Sequence, residues 1–268
     1  MVPFDAVSFS LLLLTGLVSG ILAGFLGIGG GTLLVPVLVQ LGFFPVQATA
    51  TSSLAILVTS SAGSFQNWRM GFLRIRQVLL LGGPAIVTAF IGAAIGETLP
   101  PYLLLIGFGL LLLLNIYLVS LKKKVIRTAQ FREPRTTSGP AISPVVARIV
   151  TGSIAGLMAG LFGVGGGVIL VPLQILLLGE DIKTAVRTSL GVIVITSVSA
   201  CVSHAINNNI DFSAGLLLGL GGLIGVQVST RYLPKLSDRT VTQLFRAMLI
   251  VLALYMFWQA YGLYSAAN

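Results

Sequence analysis

The sequence predicts an all-α polytopic membrane protein built from two inverted-topology repeats, with roughly eight to ten membrane segments and glycine-broken helical hairpins. Three observations carry this. The 268 residues are 56% hydrophobic and only 9% charged, with a mean hydropathy of +1.02, whereas a soluble domain carries about 25% charged residues. A glycine-rich block occurs twice. The Lys and Arg residues fall in loops whose order reverses from one half to the other.

The first block reads Gly24-Phe-Leu-Gly-Ile-Gly-Gly-Gly-Thr-Leu-Leu-Val-Pro-Val-Leu38, and the second Gly160-Leu-Phe-Gly-Val-Gly-Gly-Gly-Val-Ile-Leu-Val-Pro-Leu-Gln174. They align without a gap at an offset of 136, Gly27 falling on Gly163, Gly29–Gly31 on Gly165–Gly167 and Pro36 on Pro172. A match of that quality marks a duplicated unit. Paired interruptions of apolar stretches in corresponding positions of two halves point to a transport site.

Apolar segments fall at 7–26, 32–44, 46–66, 77–96 and 101–121 in the first half, and at 145–162, 168–179, 184–206, 213–231 and 240–262 in the second. This divides the chain into an N-terminal membrane repeat (1–121), a basic cytoplasmic linker (122–144) and a C-terminal membrane repeat (145–268). A helix needs about 20 residues to cross the hydrocarbon core. The segments after the glycine blocks are short for that, so each block joins either a re-entrant hairpin or two full crossings. The first apolar run has no basic flank, only Asp5, and reads as part of the mature protein. The single cysteine, Cys201, excludes an internal disulfide.

The charges settle orientation. The loop near 67–77 holds Arg69, Arg74 and Arg76, while its counterpart near 204–213 holds no base and carries Asp211. The loop at 97–102 carries Glu97, and its counterpart at 231–239 holds Arg231, Lys235 and Arg239. Lys183 and Arg187 lie in 179–187, opposite the uncharged 41–47. Under the positive-inside rule the two copies face opposite ways. All 16 Lys and Arg then lie on the cytoplasmic side, with both termini outside. The net charge of +9 is therefore topological and does not call for nucleic acid. The linker, with Lys122-Lys123-Lys124, Arg127, Arg132 and Arg135, is a topology anchor that could also touch anionic membrane lipid.

Three glycines in succession make a continuous helix through 29–31 or 165–167 improbable. A break frees backbone groups, which a membrane tolerates only where they face protein or a water-filled cavity. The helices restarting at Thr32 and Val168 present free N–H groups and a positive dipole end, a setting for an anion. Gly29, Gly30, Gly31, Gly165, Gly166 and Gly167 are thus the candidate substrate-binding tips; the plainer alternative is that they only pack helices closely.

Downstream, Thr51-Ser52 repeats as Thr188-Ser189 at an offset of 137. Hydroxyls can donate to an anion, or bond back to the i−4 carbonyl. The first role is assigned to Thr51, Ser52, Thr188 and Ser189, and packing to Thr59, Ser60, Thr196 and Ser197. His204, the only histidine, is a candidate proton carrier or an ordinary interfacial side chain. Its repeat partner is Asn67. Asn67, Gln174, Arg187 and Arg246 are candidate anion contacts, although for the two arginines snorkelling to the basic side is the favoured reading.

The paired G-x-G-G-G-x-[LI]-L-V-P blocks, each followed by an A-x-x-T-S segment, resemble the TauE/SafE family of sulfite and organosulfonate exporters, over roughly residues 10–262. That resemblance implies an inner- or plasma-membrane protein moving small sulfur-containing anions such as sulfite, thiosulfate or organosulfonates, in some members coupled to protons. The family often carries a histidine after the T-S helix, which this chain has at His204 but replaces by Asn67 in the first copy.

The leading expectation is an exporter working by alternating access, with no cofactor, no metal and a homo-oligomeric state open. An anion channel on the same scaffold and a membrane subunit assisting a partner protein are the alternatives. With one His, one Cys, seven acidic residues and no metal-ligand or Ser/His/Asp pattern, the sequence speaks against an enzyme.

Overall fold

The computed structural model describes the backbone of residues 6–100, 102–114, 117 and 143–267. Among the described residues each half contributes five α-helices. The first half forms α1 (Ala6–Leu26), α2 (Gly31–Gln40), α3 (Pro45–Arg69), α4 (Ile75–Thr98) and α5 (Tyr102–Leu114). The second forms α6 (Pro144–Phe162), α7 (Gly167–Leu177), α8 (Ile182–Ile206), α9 (Phe212–Tyr232) and α10 (Asp238–Ala267). No strand occurs among the described residues. The linker at 122–142, and with it the expected boundary between the repeats, lies outside them.

Among the described residues, six helices are long and apolar enough to cross a membrane: α1, α4, α6, α8, α9 and α10. Helix α3 is as long as α8, at 25 residues, but is rich in Ser and Thr. Thr49, Thr51, Ser52, Ser53, Thr59, Ser60, Ser64 and Asn67 all turn inward and are buried. Its polarity is therefore internal rather than a sign of a surface helix.

Small residues set the closest helix pairs. Gly16, Gly20 and Gly24 of α1 lie against Leu218, Gly222 and Ser229 of α9. Gly152, Gly156 and Gly160 of α6 lie in the same manner against Leu81, Ala85 and Ala89 of α4. A side chain at any of these would strike the partner's backbone or its Ser229 hydroxyl, so glycine at i, i+4, i+8 allows backbone-to-backbone approach. Numbers rise together along both pairs, so α1 runs parallel to α9 and α6 parallel to α4. Likewise Gly215 and Gly219 of α9 meet Leu54 and Val58 of α3, and Gly191 of α8 meets Val78 of α4 while Gly82 of α4 meets Ile195 of α8. Every close pair therefore joins one half to the other.

These registers also answer what composition left open about the glycine blocks. Helix α1 starts beside the start of α9, and α9 starts beside α3, where the Asp211 N–H donates to Thr51 Oγ1 at 3.1 Å. Helix α2 ends on that same side, at the 41–44 turn that leads into α3. With only 10 residues, α2 is about 15 Å long. Helices α1 and α2 thus form a hairpin with both ends on one side, and α2 does not cross.

The loops sort into two faces. Arg74 pairs with Glu180 at 3.5 Å, Gln77 Nε2 donates to Glu180 at 2.8 Å, and Lys183 Nζ reaches the Pro234 carbonyl at 3.3 Å. The 70–74, 178–181 and 233–237 turns therefore share a face, and the described Lys and Arg residues gather toward it. Glu97, Asn207, Asn209, Asp211 and Gln40 lie at the other.

Candidate functional site: two glycine tips

The breaks at 27–30 and 163–166 are built from left-handed glycines. Gly27, Gly29 and Gly30 have φ of 68°, 73° and 86°, and Gly163, Gly165 and Gly166 have 62°, 72° and 74°. A non-glycine residue in that region costs about 1–2 kcal/mol each. The chain leaves α1 or α6 through one such residue and enters α2 or α7 through another, so the glycines are required by conformation as well as by space.

The two tips touch. A Cβ on Gly31 would strike the Gly163 carbonyl and the Val164 Cα, and a Cβ on Gly167 would strike the Gly27 carbonyl and the Ile28 Cα. Both tips are wedged by the same two side chains: Ile56 and Ile193 approach within 3.0 and 3.1 Å of a Cβ position on Gly29, and 3.1 and 2.8 Å of one on Gly165. The six predicted glycines, Gly29–Gly31 and Gly165–Gly167, are thus brought together and are all buried.

The polar groups at the tips are unevenly satisfied. Hydroxyls cover four of the carbonyls, while those of Ile28, Gly29 and Val164 have no donor among the described residues. Ser52 Oγ donates across to the Gly163 carbonyl at 2.8 Å, and Ser189 Oγ donates to the Gly27 carbonyl at 2.6 Å. Ser19 Oγ donates to the Gly30 carbonyl at 2.9 Å, and Thr196 Oγ1 to the Gly165 carbonyl at 3.2 Å. The N–H groups are not covered. Among the described residues, the backbone N–H groups of Ile28, Gly29, Gly30, Val164, Gly165 and Gly166 have no hydrogen-bond acceptor. The Thr32 hydroxyl beside them is fully buried and equally unpartnered. Buried N–H groups without partners are rare and costly in folded proteins. Here they cluster at the N-termini of α2 and α7, where the helix dipole adds positive potential.

The remaining predicted residues occupy varied places. Thr51 accepts from the start of α9, and Thr188 is buried next to Ser189. Gln174 Nε2 donates to the Ala185 carbonyl at 3.3 Å, leaving its Oε1 unpartnered. The Arg187 guanidinium stacks 3.9 Å from the Phe72 ring centroid, a cation–π contact on the basic face. Arg246 is half-buried on α10. Asn67 is fully buried, and both its amide atoms lack partners among the described residues. His204 is also buried, with Nδ1 3.3 Å from Glu97 Oε1. Glu97 further accepts from Asn207 Nδ2 at 2.6 Å and Asn209 Nδ2 at 3.0 Å.

Sequence reasoning missed Ser19, Glu97, Ile56 and Ile193, and assigned Thr196 to packing alone. The aligned pair Ile56/Ile193, at the offset of Ser52/Ser189, was a signal available in the repeat. Ser19, whose counterpart is Ala155, and Glu97, whose counterpart is Pro234, left no such trace.

The chain's closest-packed helices, paired glycine tips and apolar surface belong to a multi-pass membrane protein. It is 28% identical to "Probable membrane transporter protein YunE" of Bacillus subtilis, over 97% of this chain and 100% of that one. It is 25% identical to "Probable membrane transporter protein YdhB" of the same organism, over 91% of this chain and 100% of that one. It is 25% identical to "Probable membrane transporter protein MJ0441" of Methanocaldococcus jannaschii, over 92% and 94%. No solved structure matches. Residues 12–256 match the family described as Sulfite exporter TauE/SafE, and the chain belongs to that family.

Proposed function

We propose that this chain is a secondary transporter, and specifically an exporter, of a small sulfur-containing anion such as sulfite, thiosulfate or an organosulfonate. One observation carries the reading: at both tips the backbone N–H groups that precede α2 and α7 are left without acceptors among the described residues, while hydroxyls cover the Gly27, Gly30, Gly163 and Gly165 carbonyls. An oxyanion has the charge and the several oxygens to accept from such a set. Hydrogen bonds to a charged group contribute about 1.5–3 kcal/mol each. A site of neutral donors holds an anion without a buried lysine or arginine, and so releases it again.

The same geometry supports alternating access. Ile56 and Ile193 fill the space against the tips, so an anion enters only when these side chains or the tips themselves move. The opposite sense of α1 and α6, which follows from their pairing with α9 and α4, supports two inverted halves rocking about the tips. The basic face is placed in the cytoplasm by the positive-inside rule, which puts both termini outside an inner or plasma membrane. His204, held by Glu97 on the opposite face, is assigned the role of proton coupling.

The test is flux into proteoliposomes containing the purified chain, with sulfite, thiosulfate and a small sulfonate, with and without a pH gradient. Saturable flux that responds to the gradient and shows counterflow supports the reading. Flux that is insensitive to pH and lacks counterflow favours a channel, and absence of flux from folded protein removes the transport assignment for these anions.

A further inference from the structure

The groove between α3 and α9, away from the glycine tips, carries a second ligand chemistry. It encloses about 580 Å³ and opens on the flank of the helix bundle. Leu57, Phe65 and Leu223 contribute an apolar wall, and Ser61, Gln66, Arg69 and Gln227 are set into it. Among the described residues, neither glutamine side chain makes a hydrogen bond, and Arg69 forms no ion pair; its guanidinium lies 5.9 Å from the Phe65 ring. Polar side chains on the flank of a membrane helix are costly unless something pairs with them.

The equivalent groove in the other half shows that this polarity is not a requirement of the fold. Helices α8 and α4 repeat α3 and α9 at an offset of 137, the offset by which Ser52 falls on Ser189. Ser61, Gln66, Arg69 and Gln227 there become Val198, Ser203, Ile206 and Phe90. The one serine in that set, Ser203, is buried. One half has an apolar flank and the other a flank with a cation at the basic face.

We propose that the α3–α9 groove is a binding site for an anionic phospholipid, with its phosphate at Arg69, Gln66 and Gln227 and an acyl chain along Leu57 and Leu223. Arg69 closes α3 on the basic face, beside Trp68, which is 56% exposed as an interfacial aromatic side chain is. Charge complementarity selects this occupant. The linker at 122–142 is itself strongly basic and would be repelled by Arg69. This site is independent of the transport assignment.

Trp68 and Trp258 are the only tryptophans, so a Trp258→Phe protein reports from beside the groove alone. The experiment reconstitutes it in phosphatidylcholine bilayers containing a minor fraction of brominated phosphatidylglycerol or, separately, brominated phosphatidylcholine, and measures quenching of Trp68. The expected result is an apparent affinity about fivefold higher for the brominated phosphatidylglycerol, the factor that about 1 kcal/mol per basic residue implies. Arg69→Gln abolishes the preference, Gln66→Leu with Gln227→Leu weakens it, and Arg76→Gln leaves it in place. Equal quenching by both lipids overturns the proposal, as does shielding of Trp68 from both, which assigns the groove to protein. A preference that survives Arg69→Gln overturns it too. Size-exclusion profiles of each variant keep misfolding from being read as lost binding.

Discussion

The two halves agree in backbone and differ in side chains. At the tips, Ser52 bonds Gly163 and Ser189 bonds Gly27, each hydroxyl reaching across to the opposite break. Fifteen residues further along the same helices the likeness ends. Asn67 stands with both amide atoms unpartnered among the described residues, while His204 is held by Glu97. The difference separates what both halves need from what only one needs. The shared part is a pair of breaks whose N–H groups have no acceptor among the described residues. The unshared part lies toward opposite faces, where a transporter distinguishes inside from outside.

The largest expected effect comes from the shared part. Gly29→Ala and Gly165→Ala each combine left-handed strain with a clash against Ile56 and Ile193. Each reduces flux by at least about tenfold, measured in proteoliposomes with insertion checked separately. Ala at Gly42 or Gly179, where a Cβ meets nothing, serves as the control for strain alone. A large loss from one tip and none from the other would break the equivalence.

Next in size are the hydroxyls. Ser52→Ala and Ser189→Ala each uncover a buried carbonyl, at a cost of about 1–3 kcal/mol. Thermal unfolding in detergent should fall by similar amounts for the two. The same comparison sharpens the asymmetric part: Glu97→Gln and His204→Gln should flatten the response of flux to a pH gradient, whereas Asn67→Leu should change the rate and leave the response intact. A response retained in both Glu97→Gln and His204→Gln removes the coupling role from this cluster.

The smallest effect concerns helix starts. Helix α8 begins at Asp181, whose Oδ2 accepts from the Thr184 N–H at 2.9 Å, while α3 begins at Phe44 with Pro45 in the first turn and no side-chain cap. Partial burial works to raise the Asp181 pKa, but the Thr184 hydrogen bonds and the Arg187 charge outweigh it and hold it below the ordinary value. The cap therefore contributes above the usual carboxylate range and is lost as pH falls below it. Asp181→Ala should cost about 1 kcal/mol near neutral pH, read as a small drop in Tm that disappears in acid. Phe44→Ala should not show that pH dependence.

Much of this frame was legible in the sequence because it is written locally. Hydropathy located 184–206 where the helix runs Ile182–Ile206, and 77–96 where it runs Ile75–Thr98. The glycine triplets marked the breaks, and Gly29/Gly165 and Gly30/Gly166 have positive φ in both halves, as do Gly27/Gly163 and the turn glycines Gly42/Gly179. Three things were not legible. Whether a short segment turns back depends on which helix it packs against, which periodicity does not encode. The use of Ser52 and Ser189 is set by partners 111 and 162 residues away. Their hydroxyls were expected to face an anion, and the structure has them bonded to carbonyls, which leaves the donors at the site to the backbone. Glu97 looked like an isolated loop acid because its partners at 204–209 are distant in sequence.

The central claim is that the anion is held by backbone N–H groups at the tips and not by the arginines. Sulfite-dependent thermal stabilisation of the purified protein tests it most directly, since a ligand at about 100 times its Kd stabilises by about 2.7 kcal/mol. The account predicts that stabilisation is lost in Gly29→Ala and Gly165→Ala and kept in Arg187→Gln and Arg246→Gln. Stabilisation that survives in both glycine variants and disappears with an arginine would contradict it.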